Sequence, residues 1–124
     1  MPTTHVVFYQ EETGEVPALE WIMALPARGR IKCLARLRRL QHRGPELRRP
    51  EADYLGEGLY ELRIGLQGRN YRLLYFHHAR TRAVVVHGVV KERRILPADM
   101  DRALHRKARF EQHPDRHTYT EGIE

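Results

Sequence analysis

The chain has 124 residues, a length that fits one domain with a single hydrophobic core. Cys33 is the one cysteine, which excludes an internal disulfide framework, and the eight histidines show no recognised metal-ligand spacing, so we expect no metal and no other cofactor. The net charge of +6, carried almost entirely by arginine, favours RNA or DNA as a ligand, although a charged solvated surface explains it equally well.

The apolar residues give no sign of a membrane or an export signal. No apolar run approaches the length needed to cross a bilayer. Residues 1–5 lack both the basic part and the long apolar part of a signal peptide. We therefore expect a protein of the cytoplasm that makes no contact with a membrane.

The N-terminal half predicts a strand followed by two helices. β-branched and aromatic residues predict a strand over 4–9, and Pro17 lies in the first turn of a helix that continues over 18–25. After Pro26 a second helix is expected over 27–43, so that the two form a hairpin covering a sheet. The stretch 45–58, with its prolines and charges, is predicted to be a loop. The expected apolar stripe of the second helix is Ile31, Leu34, Leu37 and Leu40, with Ala35 beside it.

The C-terminal half changes to a period of two. Alternation predicts strands over 59–64, 69–76 and 83–90, and the short links between them predict an antiparallel meander. Pro97 begins a last helix, and the residues after 112 are predicted to be a loose polar tail. The expected buried stripe of this last helix is Met100, Ala103, Leu104 and Ala108.

These elements predict an α+β fold. An N-terminal strand and a helical hairpin pack on the antiparallel meander, and a C-terminal helix completes the domain. The expected domain covers residues 1–112, and 113–124 forms the tail.

Two arginines on neighbouring strands are the first candidates for chemistry. If the turn after residue 64 pairs the strands as inferred, Arg63 and Arg72 project from the same face and form a rigid clamp for phosphate. Lys91 and Arg93 follow the third strand and could close that surface. Such a cluster could stabilise the charge of a pentacoordinate phosphate without a metal. The alternative is that these are ordinary strand arginines paired with acids such as Glu61.

The order of motifs resembles a known family. The run Gly58-Leu59-Tyr60-Glu61-Leu62-Arg63 is followed by Tyr71-Arg72-Leu73-Leu74-Tyr75-Phe76, a valine strand, Lys91 and a helix led by Pro97. This pattern, which extends over roughly residues 5–112, looks like the HigB-type, phage-derived branch of the RelE/ParE toxin superfamily. The resemblance therefore implies a RelE-like fold.

The resemblance also implies an activity and partners. It implies an endoribonuclease toxin that acts on messenger RNA in the ribosomal A site and forms a hetero-oligomer with a helix-turn-helix antitoxin. Arg72 matches the arginine that handles the scissile phosphate, and Arg63 falls where relatives carry a basic residue. Lys91 and Arg93 lie where relatives place another phosphate-binding residue. Glu61 stands where some relatives carry lysine.

One departure concerns the general base. Relatives of the RelE type carry a tyrosine near the site that acts in acid/base chemistry, whereas the matching region here, 95–97, has none. His87 is a candidate substitute because its ordinary pKa lies near neutrality, although a histidine in an apolar strand is more often a structural residue of the core. Glu61 is a weaker candidate because pairing with Arg63 or Arg72 would lower its pKa.

Other arginines are candidates for binding RNA away from the reacting phosphate. Arg36 and Arg39 lie on the second helix and Arg94 follows the last strand, and these could bind RNA or simply form a solvated surface.

Two other functions stay open. The same superfamily includes ParE-like poisons of DNA gyrase, which need no nuclease residues. A non-catalytic, basic, phage-derived binding module is the other alternative, since one fold can host several functions.

Overall fold

The structure is a computed structural model that describes residues 3–90 and 94–121. The helices and strands, in chain order, are β1 (His5–Tyr9), α1 (Pro17–Met23), α2 (Ala27–Arg43), β2 (Ala52–Gly56), β3 (Leu59–Leu66), β4 (Arg69–His78), β5 (Arg82–Val90), α3 (Pro97–Gln112) and β6 (Thr118–Tyr119). Single 3-10 turns at Gly44–Glu46 and Pro114–Arg116 complete them. The helix α2 has the predicted bounds.

One six-stranded sheet organises these elements, with the order β2-β3-β4-β5-β1-β6. The meander β3-β4-β5 is antiparallel, as predicted, and β2 extends it on one side. On the other side β1 pairs with β5 in parallel, and β6 pairs antiparallel with β1. Because two residues, Gln67 and Gly68, join β3 to β4 and both have positive φ, the hairpin turn is tight and its register is well defined.

Alternation along the strands divides the core into two layers. Leu62, Ile64 and Leu73 point toward the hairpin of α1 and α2 on one face. Leu74 and Phe76 point toward α3 on the other. The α+β fold expected from the sequence is confirmed, with helices on both faces of a mixed sheet.

Two stretches differ from their predicted structure. The predicted loop 45–58 contains β2, the edge strand that pairs with β3. The predicted loose tail contains β6, and the ring of His117, which is buried, stacks on Tyr9 with 5.1 Å between the centroids. Both predictions failed because these strands are short, with five and two residues, and lie among prolines and charged residues that are typical of loops.

The predicted apolar stripe of α2 is confirmed at Leu37 and Leu40, which are buried, and Leu34 packs partly buried against the core. It is wrong at Ile31, which is 63% exposed, and at Ala35, which is exposed; the other inward positions are Gly29 and Cys33. A side chain at Gly29 would come within 3.2 Å of the ring of Tyr71, so the glycine lets α2 approach the sheet closely.

The predicted stripe of α3 is wrong at Ala108, which is exposed, while Phe110 is buried instead. Among the described residues, no helix is both long and apolar enough to span a membrane.

Candidate active site

The two predicted arginines are direct neighbours across the sheet. Arg63 on β3 is paired with Arg72 on β4, so their side chains leave the same face, the one on which α3 packs. The geometric part of the prediction is therefore confirmed. The side chain of Arg63 is 33% exposed, whereas that of Arg72 is 12% exposed. A ligand that arrives from solvent therefore meets Arg63 first.

A buried carboxylate lies between these two arginines. Glu61 Oε2 accepts a hydrogen bond from Arg63 Nε at 2.8 Å, and Glu61 Oε1 lies 3.4 Å from Arg72 Nε. Like charges directly opposite each other in a sheet repel, so the carboxylate compensates for the pairing of two guanidiniums. Burial lowers the pKa of Arg72, and the charge of Glu61 opposes that change. Glu61 therefore holds the arginine pair together.

The strand that the sequence did not reveal contributes a second acid. Asp53, on β2, lies opposite Glu61 and accepts a hydrogen bond from Arg63 Nη2 at 3.1 Å. Its other oxygen lies 3.0 Å from Arg49 Nε, and this partner holds the pKa of Asp53 below its ordinary value. Three guanidiniums thus face two carboxylates, which leaves one net positive charge in the cluster.

A β-bulge brings His87 to the same face as the arginines. Strict alternation from Val84 would turn His87 toward α1 and α2, but the register between β4 and β5 shifts after Leu74. Leu74 pairs with His87 while Tyr75 pairs with Val85, so one extra residue, Val86, is accommodated in β5. Bulges of this kind redirect side chains near functional sites. As a result His87 projects toward α3.

Both ring nitrogens of His87 have partners on α3. Its Nε2 lies 2.8 Å from Asp99 Oδ1, and its Nδ1 lies 3.3 Å from Arg106 Nη1. Arg106 also donates to the carbonyl oxygen of Val86, at 2.6 Å, within the bulge. Burial is the main cause that lowers the pKa of His87, which favours the neutral ring at pH 7. A neutral ring that donates from Nε2 to Asp99 has its lone pair on Nδ1.

His87 and Arg72 are close enough to act on one substrate. Arg72 is two residues from Leu74, the cross-strand partner of His87, so Arg72 and His87 form a diagonal pair. Diagonal pairs on one face of an antiparallel sheet lie about 7–8 Å apart. A phosphate bound by Arg72 would therefore lie beside the imidazole. The surface formed by Arg63, Arg72 and His87, with Glu61 and Asp53 behind it, is called the arginine face below.

The remaining sequence candidates lie elsewhere. Arg36 and Arg39, on α2, both form ion pairs with Glu51, which precedes β2. They belong to the opposite layer and do not join the arginine face. Arg94 is exposed. The last two candidates, Lys91 and Arg93, lie outside the described residues.

The residues that sequence reasoning missed are Asp53, Asp99 and Arg106. In the sequence, Asp99 is typical of the acidic residues that are common in the first turn of a helix, and Asp53 lies in a stretch predicted to be a loop. Within the described ranges no group of three or more His, Cys, Asp or Glu side chains is arranged to hold a metal ion.

The fold points to a class of protein. A mixed six-stranded sheet with a helical hairpin and a C-terminal helix is compatible with a RelE-like fold. The family model described as phage-derived protein Gp49-like (DUF891) matches residues 20–108. The chain belongs to this family, which is a family of RelE/HigB-like toxins. A search of curated proteins gave no match.

Proposed function

We propose that this chain is a HigB-type toxin that cuts messenger RNA at the ribosome, in the cytoplasm, and that a helix-turn-helix antitoxin silences it. One observation carries the proposal above the others. The register of β3, β4 and β5 gathers Arg63, Arg72 and His87 on one face, with a buried carboxylate fixing the two arginines.

The arrangement suits attack by a ribose 2′-hydroxyl on the adjacent phosphorus. The new bond joins the 2′ oxygen to phosphorus, the bond to the 5′ oxygen breaks, and the products are a cyclic phosphate and a 5′-hydroxyl end. Arg72 and Arg63 stabilise the charge that builds up on the phosphate oxygens in the transition state. Guanidinium forks match phosphate oxygens well, and two of them on a rigid sheet need little rearrangement.

His87 is the group proposed to take the proton of the 2′-hydroxyl. Asp99 orients the ring through Nε2, which leaves Nδ1 as the basic atom. Arg106 lies against Nδ1 in the free protein, so the substrate must displace that contact for the base to act. The proton given to the leaving 5′ oxygen comes from the protonated ring or from a ribosomal group.

The partner proposal rests on charge. The chain has 22 basic against 16 acidic side chains, and the cluster of Arg49, Arg63 and Arg72 with Asp53 and Glu61 retains one net positive charge. An inhibitor that covers this cluster should bring acidic groups to compensate the remaining positive charge. We therefore expect an acidic segment of the antitoxin to pack over the arginine face or over the hairpin of α1 and α2.

The test is a comparison of messenger RNA ends in a bacterial host that expresses the wild-type chain, Arg72→Ala or Arg69→Ala. Arg69 is the matched control, because it is an exposed arginine on the same strand whose side chain lies on the opposite face of the sheet. We expect new 5′ ends, in coding frame, with the wild type and with Arg69→Ala. Removal of one such transition-state donor should lower cleavage about 100-fold or more in Arg72→Ala.

Two outcomes would contradict the proposal. If Arg72→Ala cut messenger RNA as the wild type does, the arginine face would not be the site. If the wild type arrested growth without new 5′ ends, the nuclease itself would be rejected, and supercoiling assays on DNA gyrase would then test the ParE-like alternative. An inert wild type would favour a binding module.

A further inference from the structure

A pocket with aromatic walls lies at the β2 edge of the sheet, with its aromatic wall on the face covered by α1 and α2, opposite the arginine face. Its volume is about 480 Å³, within the range of small-molecule sites of about 300–1,000 Å³. Tyr54 and Tyr60 form its aromatic side, and Arg48, Arg49 and Asp53 also line it. The name edge pocket is used for this cavity below.

The aromatic wall is built as a supported stack. The rings of Tyr54 and Tyr60 are 4.9 Å apart, and Tyr60 is in turn stacked on the buried ring of Tyr75 at 5.5 Å. Tyr54 is 55% exposed, which is unusual for so large a side chain in a strand. The ring is nevertheless held in place, because the Gly58 amide donates a hydrogen bond to the Tyr54 hydroxyl at 3.0 Å. A fixed, exposed ring binds a flat ligand with little loss of side-chain freedom.

The cations of the edge pocket favour a ligand that carries phosphate. Two guanidiniums, Arg48 and Arg49, lie beside the aromatic wall, and the side chain of Arg49 is 75% exposed. A tyrosine wall with arginines at its rim is the combination that binds single-stranded nucleic acids, where bases stack on rings and cations follow the backbone. A neutral peptide would gain nothing from the two charges.

Asp53 connects the edge pocket to the arginine face. One of its oxygens pairs with Arg49 and the other with Arg63. Tyr54 lies opposite Tyr60, and Tyr60 precedes Arg63 by three residues in β3, a separation of about 10 Å along the strand that places the two side chains on opposite faces of the sheet. Because β2 is the edge strand, a ligand can pass from one face of the sheet to the other at this point.

We propose that the edge pocket binds a nucleobase of single-stranded RNA whose strand crosses the β2 edge of the sheet from the phosphate that the arginine face holds. The inference rests on the proposed function, since it assumes that RNA reaches Arg63. Stacking does not select one base by hydrogen bonds, so the expected preference is for purines, whose larger rings cover more of Tyr54.

The experiment measures binding rather than cleavage. Fluorescein-labelled hexanucleotides of 2′-O-methyl adenosine or 2′-O-methyl uridine, which have no free 2′-hydroxyl, are titrated with the full chain and followed by anisotropy. We expect the adenosine probe to bind more tightly than the uridine probe. Tyr54→Ala removes the ring on which one base stacks. It should therefore bind the adenosine probe about 5- to 150-fold more weakly than the wild type and no longer prefer adenosine over uridine.

Matched variants separate stacking from folding and from charge. Tyr54→Phe keeps the ring and should bind within about twofold of the wild type, whereas Tyr119→Ala removes a tyrosine from the opposite edge strand, β6, and should have no effect. Arg49→Ala should weaken both probes alike, and Arg116→Ala, which removes a similarly exposed ion-paired arginine, should not. Far-UV circular dichroism of each variant confirms that it is folded.

The outcomes distinguish this inference from the proposed function. If Tyr54→Ala binds both probes as the wild type does, or if the wild type binds neither, the base-binding role is wrong. If Tyr54→Ala weakens binding but no messenger RNA is cut in cells, the edge pocket stands as a nucleic-acid site and the nuclease proposal fails. If cleavage depends on Arg72 but Tyr54→Ala does not change binding, the nuclease proposal stands and the base-binding role of the edge pocket fails.

Discussion

Glu61→Gln keeps the size of the side chain between Arg63 and Arg72 but removes its charge. The Gln carbonyl oxygen can accept from Arg63 Nε, as the carboxylate does at 2.8 Å. Its NH₂ group then faces Arg72 Nε, so two donors oppose each other where an ion pair existed at 3.4 Å. The variant therefore leaves Arg72, with a side chain only 12% exposed, without its carboxylate.

The size of the effect follows from burial. Removal of one partner from a fully buried ion pair costs about 3–5 kcal/mol, and the exposure of one third of Arg63 reduces this to about 2–4 kcal/mol. The affinity for RNA, in contrast to the stability, should increase in Glu61→Gln. A carboxylate about 6 Å from a bound phosphate repels it by about 0.7–3 kcal/mol for effective dielectric constants between 80 and 20, so its removal should tighten binding roughly 3- to 100-fold.

Two measurements check this pair of effects. Urea unfolding gives the loss of stability, and anisotropy with the 2′-O-methyl adenosine probe gives the affinity at low salt. Glu111→Gln is the control, because Glu111 is 46% exposed and pairs with Lys107 on the surface of α3, where an ion pair contributes at most about 1 kcal/mol. A Glu61→Gln protein as stable as the wild type, or one that binds RNA more weakly, would refute the reasoning about the carboxylate.

Two further predictions concern protonation and packing. Burial lowers the pKa of both His87 and His77. Below about pH 6.5 the unfolded chain therefore binds protons that the folded chain does not, so the free energy of unfolding decreases as the pH is lowered. His87→Asn should reduce that fall between pH 7.5 and 5.5 by up to about 1.4 kcal/mol per pH unit in urea unfolding, and an undiminished fall would contradict it. Gly88→Ala places a methyl group 2.3 Å from the Trp21 ring and should cost about 1–3 kcal/mol or more. Gly65→Ala, with open space around it, is the control and should change stability by less than half as much when both variants are measured by urea unfolding.

Alternation accounts for what could be predicted of the site from the sequence. Residues 59–76 alternate so regularly around a short turn that the shared face of Arg63 and Arg72 followed directly. The bulge was not predicted, because Val84, Val85 and Val86 suit either face. Gly88, a residue type that often marks a bulge inside a strand, lies two positions after the extra residue and was the one local signal for it. His87 was therefore a candidate by chemistry alone, and its place beside Arg72 depends on one residue of register.

The acids of the site were hidden for a different reason. Asp53 belongs to an edge strand whose hydrogen bonds to β3 are nonlocal, and aspartate is disfavoured in strands, so the local sequence predicts a loop. The partner of Asp99 is likewise a residue on another element. Pairing of this kind is decided by tertiary packing, and a single sequence without its fold contains no local signal for it.

The two outer strands have a consequence for how the protein behaves at high concentration. A sheet edge is a template for pairing with another chain, and short or charged edge strands reduce that hazard. Here β6 has only two residues, and β2 carries a bulge and the ion-paired Asp53. If the chain were cut after residue 112, the apolar strand β1 would lose the cover of β6 and His117. The shortened protein would then expose an apolar, unpaired sheet edge, and self-association through that edge would compete with folding of the single chain.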